Sequence, residues 1–106
     1  MKHLTTWVLA AALACALPAQ AQDTAEAAMS KAGCMACHTK DKKLVGPAYK
    51  DVAARYKAQA TAADTLFAKV RSGGKGSFGP VPMSPNPPDK ISDADLKLAV
   101  AWILKQ

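Results

Sequence analysis

Five residues, Cys34-Met35-Ala36-Cys37-His38, constrain this chain more than anything else in it. C-x-x-C-H is the attachment signature of a c-type haem, and the chemistry explains the spacing. Two thiols must each add across a vinyl group on one edge of a flat porphyrin. Cysteines three apart on a helical turn lie on neighbouring parts of one face, so both sulfurs can reach that edge. The next residue brings an imidazole under the iron. The expectation is that Cys34 and Cys37 form thioethers and His38 is an axial ligand. Two other readings use the same residues. A redox dithiol expects a βαβ context, whereas the surroundings here are alanine-rich and helical. A structural zinc site wants four Cys or His ligands, and the chain beyond its leader has two cysteines and one histidine.

That leader is residues 1–21. Lys2 and His3 give a basic start, Leu4 to Leu17 are apolar, and Pro18-Ala19-Gln20-Ala21 ends in an A-x-A pattern, as in a cleaved secretory signal. An uncleaved anchor is the alternative, but a spanning helix needs about 20 apolar residues. Cys15 lacks the bulky aliphatic that a lipoprotein site wants, because Ala12 stands there. It reads as an ordinary apolar residue of the leader. Cleavage after Ala21 predicts a periplasmic protein of residues 22–106, with no membrane span.

Removing 21 of 106 residues leaves 85, a single small domain. Domains of this size often need a staple, and a covalent porphyrin would supply one. Export implies an oxidising compartment, yet the motif cysteines are the only pair left for a disulfide. Without Lys2, the 14 basic residues become 13 against 8 acidic, a net charge of +5. A basic balance suits nucleic acid, an anionic membrane or an acidic protein. No basic helix or aromatic platform favours nucleic acid, and scattered lysines are often a solvated face.

Helical spacing dominates the rest. Asp23 and Glu26 resemble a capping box ahead of Ala25, Ala28, Met29 and Ala32. Tyr49, Val52, Ala53 and Tyr56 share one face of a second helix. Thr61 and Asp64 can cap a third, carrying Leu66, Phe67 and Val70. Ser92 and Asp95 can cap a fourth, with Leu96, Val100, Trp102 and Ile103 on its apolar side.

Between the last two helices, Ser72 to Asp89 carries four glycines and then five prolines. Such a run cannot continue a helix, and proline stiffens it by fixing φ. Met83 sits in its middle. His38 is the only histidine beyond the leader, so the sixth iron position cannot take a second histidine of this chain. Met35 lies inside the attachment turn and Met29 on the helix before it. Met83, 45 residues beyond His38, can wrap over the ring, and His/Met pairs are a known haem arrangement.

These residues resemble the small bacterial class I cytochromes c of the c-551/c-552 group. Gly33 to His38, Val45 to Ala54, Gly79 to Asn86 and Ala101 to Leu104 carry the similarity. The resemblance implies a small all-α class I cytochrome c fold, with about four helices and a Pro/Gly-rich methionine loop around one covalent haem c. It implies that the Pro47 carbonyl accepts from His38 Nδ1, that Asn86 contacts the Met83 sulfur, and that Lys69 or Arg71 neutralises a propionate. Phe78 stands where several relatives carry tryptophan, and it has no donor for a propionate. The function implied is a monomeric periplasmic electron carrier and not an enzyme. Its partners would be redox proteins, such as a cytochrome cd-type nitrite reductase, a terminal oxidase or a cytochrome c peroxidase. A haem enzyme or gas sensor with a labile sixth position, and a redox subunit held in a larger complex, stay open beside it.

Overall fold

A computed structural model describes the backbone of residues 19–106 and the side chains from Thr24 onward. The predicted signal segment, Cys15 included, lies outside the described residues, except that Ala19–Ala21 open the first helix. Four α-helices follow in order: α1 (Ala19–Lys31), α2 (Tyr49–Tyr56), α3 (Ala62–Ser72) and α4 (Asp93–Leu104). A short 3-10 turn, Cys34–Ala36, stands between α1 and α2. Among the described residues the sole strand-like feature is an isolated antiparallel bridge between Gly74 and Met83.

The helix starts show which local signals prevailed. Ser92 caps α4 as expected, its hydroxyl accepting from the Asp95 amide at 3.1 Å. Thr61 occupies the cap position of α3 but makes no side-chain bond, its backbone lying at φ −100 and ψ 16. A capping side chain works from an extended backbone, so that expectation fails on geometry. The capping box at Asp23 and Glu26 also fails. The preceding Ala-rich residues continue the helix back to Ala19, in keeping with alanine's high helix propensity. Glu26 turns instead to the other end of the chain, accepting from Trp102 Nε1 at 3.1 Å.

The core is a helical cluster centred on α4, which packs on α1, α2 and α3. The helix contributes Leu96, Ala99, Val100, Trp102 and Ile103, all buried, while α1 adds Ala25 and Met29. Fully burying a Leu- or Ile-sized side chain contributes roughly 1.5–3 kcal/mol. All four residues read as the apolar face of α2 (Tyr49, Val52, Ala53 and Tyr56) are buried. The 72–92 segment crosses from α3 to α4 and leaves a cleft against α1, the 3-10 turn and α2.

Candidate functional site

The attachment motif begins where α1 stops. Gly33 takes the left-handed conformation, φ 85, which glycine adopts without steric cost. The chain then turns tightly, with the His38 amide donating to Cys34 O at 3.0 Å. Cys34 is half-buried and Cys37 is exposed. Burial pushes the Cys34 thiol above its usual range, outweighing the opposing pull of Lys90.

His38 is held on three sides. Its Nδ1 donates to Pro47 O across 2.8 Å. The Tyr49 ring stacks on it, with centroids 5.1 Å apart and planes at 24°. A Cβ on Gly46 would collide with the imidazole. Pro47 thus fixes the tautomer: with its proton on Nδ1, Nε2 is left as an electron-pair donor. Burial keeps the Tyr49 phenol protonated, raising it well above its ordinary value. Tyr49 in turn meets Trp102 edge-on at 5.4 Å.

Met83 reaches the same cleft from the other motif. The cleft, about 390 Å³, is lined by Cys34, Cys37, His38 and Met83 among others, and its exposed lining is mostly apolar. Paired bonds fasten Met83 to Gly74, amide to carbonyl in both directions, at 2.9 and 2.8 Å. Gly73, at φ 64, packs so tightly under Met83 that a Cβ there would strike its carbonyl oxygen. Met29 also lines the cleft, but it is 1% exposed and belongs to the core cluster. An apolar cleft with two thiols, an imidazole and a thioether fits a flat, iron-bearing macrocycle.

The outlying residues divide. Lys69 lines the cleft and donates to Ser77 Oγ at 2.9 Å. Phe78 lines it too, with the Arg55 guanidinium 3.8 Å from its ring centroid. Arg55 carried no sequence signal, because this contact joins α2 to the loop. Asn86 is 7% exposed and commits Nδ2 to Val70 O at 3.1 Å and Ser84 O at 3.0 Å. Both amide hydrogens thus go to backbone carbonyls, and the residue anchors the loop to α3. Arg71 is not among the residues lining the cleft, and its guanidinium donates to the carbonyls of Asn86 and Ile91 and to the Asp93 carboxylate.

Fold and site together define a small all-α protein with an apolar cleft between a histidine-bearing turn and a methionine-bearing loop. The family model for cytochrome c matches residues 22–106. Cytochrome c2 of Rubrivivax gelatinosus is 51% identical over 76 residues, covering 72% of this chain and 89% of that protein. Cytochrome c-551 of Azotobacter vinelandii is 46% identical over 82 residues, covering 77% and 96%. The crystal structure of Nitrosomonas europaea cytochrome c552 superposes with a TM-score of 0.70 at 42% identity, covering 76% of this chain and 96% of that one. The chain belongs to the cytochrome c family, in the class I group of c-551 and c-552. It is therefore a small electron carrier with a covalently bound haem c, and not an enzyme.

Proposed function

We propose that the protein is an exported, periplasmic one-electron carrier. In this reading Cys34 and Cys37 hold the ring covalently, and His38 and Met83 fill both axial positions of the iron. The observation that carries it is that His38 and Met83, 45 residues apart, line one cleft, each fixed by backbone partners of its own. Bound haem supplies the Fe(III)/Fe(II) couple. The protein's part is to keep the ligands in place and water out. Pro47 holds His38 with its proton on Nδ1. The Gly74 bridge holds Met83, whose thioether favours the reduced state and raises the potential. Lys69, which lines the cleft, is a cation available to a propionate.

Export rests on the leader at 1–21, and among the described residues no helix is long and apolar enough to cross a membrane. Val45 and Val81 line the cleft and are 51% and 58% exposed. Lys43 and Lys75 line it as well. That mouth suits brief docking of an acidic redox partner, through a small apolar patch and a basic rim. A cytochrome cd-type nitrite reductase, a terminal oxidase and a cytochrome c peroxidase are the partners proposed, met by a monomer.

Reducing the purified protein and following its reoxidation by each of these partners tests the reading. Fast bimolecular reoxidation by at least one is expected. Inertness toward all of them, with rapid binding of carbon monoxide or cyanide, would favour the gas-sensor or enzyme reading.

A further inference from the structure

Arg71 ties the end of α3 to three points further along the chain. It projects from the last turn of α3. Its Nη1 donates to Asn86 O at 2.9 Å and to Ile91 O at 2.7 Å, and its Nη2 meets Asp93 Oδ1 at 2.5 Å. Those acceptors lie 15, 20 and 22 residues further along the chain. One guanidinium thus closes the whole segment that carries Met83.

We propose that Arg71 is a positioning residue for Met83, acting as the outer clasp of the loop that presents this sulfur. The inference rests on the reading of Met83 as an iron ligand. Two closures are nested. The inner one is the Gly74–Met83 bridge, set among exposed residues from Gly74 to Ser77. Exposed backbone bonds with few apolar contacts open readily. The outer closure is better protected: Arg71's side chain is 16% exposed, and Asn86 and Ile91 are buried. Asn86 adds its own bonds from backbone and side chain to the end of α3. Losing the Arg71 contacts loosens the limb of the loop beyond Met83, which is then held by the inner bridge and by Asn86's own bonds to the end of α3.

The working contacts are the two carbonyls rather than the ion pair. Asp93's side chain is 70% exposed, and exposed pairs contribute little. A buried carbonyl that loses its donor is the costlier loss. A lysine at 71 keeps the charge but cannot span separate acceptors as the guanidinium fork does.

The test uses haem-loaded ferric protein and imidazole as the entering ligand, so that the binding rate reports departure of Met83. Arg71→Met and Arg71→Lys should each accelerate imidazole binding about tenfold, the scale of one lost hydrogen bond. Asp93→Asn should stay within about twofold of wild type. Amide hydrogen exchange gives a second readout: the Met83 and Asn86 amides should exchange faster in both Arg71 variants, while that of Leu96 in α4 should not. If wild type binds imidazole as fast as Met83→Ala, the ligation reading itself falls, and this inference with it. If wild type is slow and both Arg71 variants are equally slow, ligation stands and the clasp is refuted. Exchange that rises equally at Leu96 would also refute it, by reducing Arg71 to a general stabiliser.

Discussion

The imidazole of His38 rests on the α-carbon of Gly46, with no room between them for even a methyl group. The neighbouring Pro47 carbonyl then meets the ring's Nδ1 at 2.8 Å. One dipeptide therefore sets both the position and the protonation of the ring.

Gly46→Ala should be disruptive despite its size. The new Cβ would push the ring or the 44–47 loop aside, at a cost of about 1–3 kcal/mol in overpacking. Denaturant unfolding of the haem-loaded variant measures that loss. A wild-type midpoint would show that the ring moves without resistance.

Attachment through Cys34 and Cys37 predicts that the denatured protein keeps its haem. The intact mass should equal residues 22–106 plus one haem, which also checks cleavage after Ala21. Haem that extracts into acidified organic solvent would be decisive against thioether linkage.

Met83→Ala should lower the potential and admit external ligands, because an open position replaces a thioether that favours the reduced iron. Potentiometry and cyanide binding measure the two effects. Wild type should bind cyanide only slowly, since Met83 must leave first. An unchanged potential in the variant would assign the sixth position elsewhere.

Charge and apolar contact at the cleft mouth should separate kinetically. Raising salt should slow bimolecular transfer to an acidic partner, because surface charges are screened beyond about 8 Å at physiological ionic strength. Val81→Glu should reduce transfer at every salt concentration and leave the potential nearly unmoved. Stopped-flow mixing across a salt series distinguishes them. A rate flat in salt would make the lysines a solvated face, and one indifferent to both would place the electron port on another surface.

The local parts of this fold were readable from spacing alone. Tyr49, Val52, Ala53 and Tyr56 recur at helical intervals, and all four are buried on one short helix. Ser92 and Asp95 lie three apart, and one caps the other. What spacing could not show is partnership across the chain. Arg71, named beside Lys69 as a candidate for a propionate, takes its acceptors from the far side of an irregular loop. Glu26 looked like part of a cap, and its partner Trp102 is 76 residues away. Thr61 had the right side chain in the wrong backbone geometry. The Arg71 and Glu26 contacts depend on where distant segments meet, and no periodicity encodes that.

The contact between α1 and α4 bears on when the protein can become itself. Among the described residues these are the first and last helices, and their contact is the most extensive between any two. Ala25 and Met29 of α1 are buried in the same cluster as Leu96, Ala99, Val100, Trp102 and Ile103 of α4. Distant contacts of this kind form only after the cost of closing the intervening chain has been met. The thiols of Cys34 and Cys37 follow directly on α1, so throughout synthesis they sit beside an unfinished edge. Their chemistry has its widest access before the last helix docks.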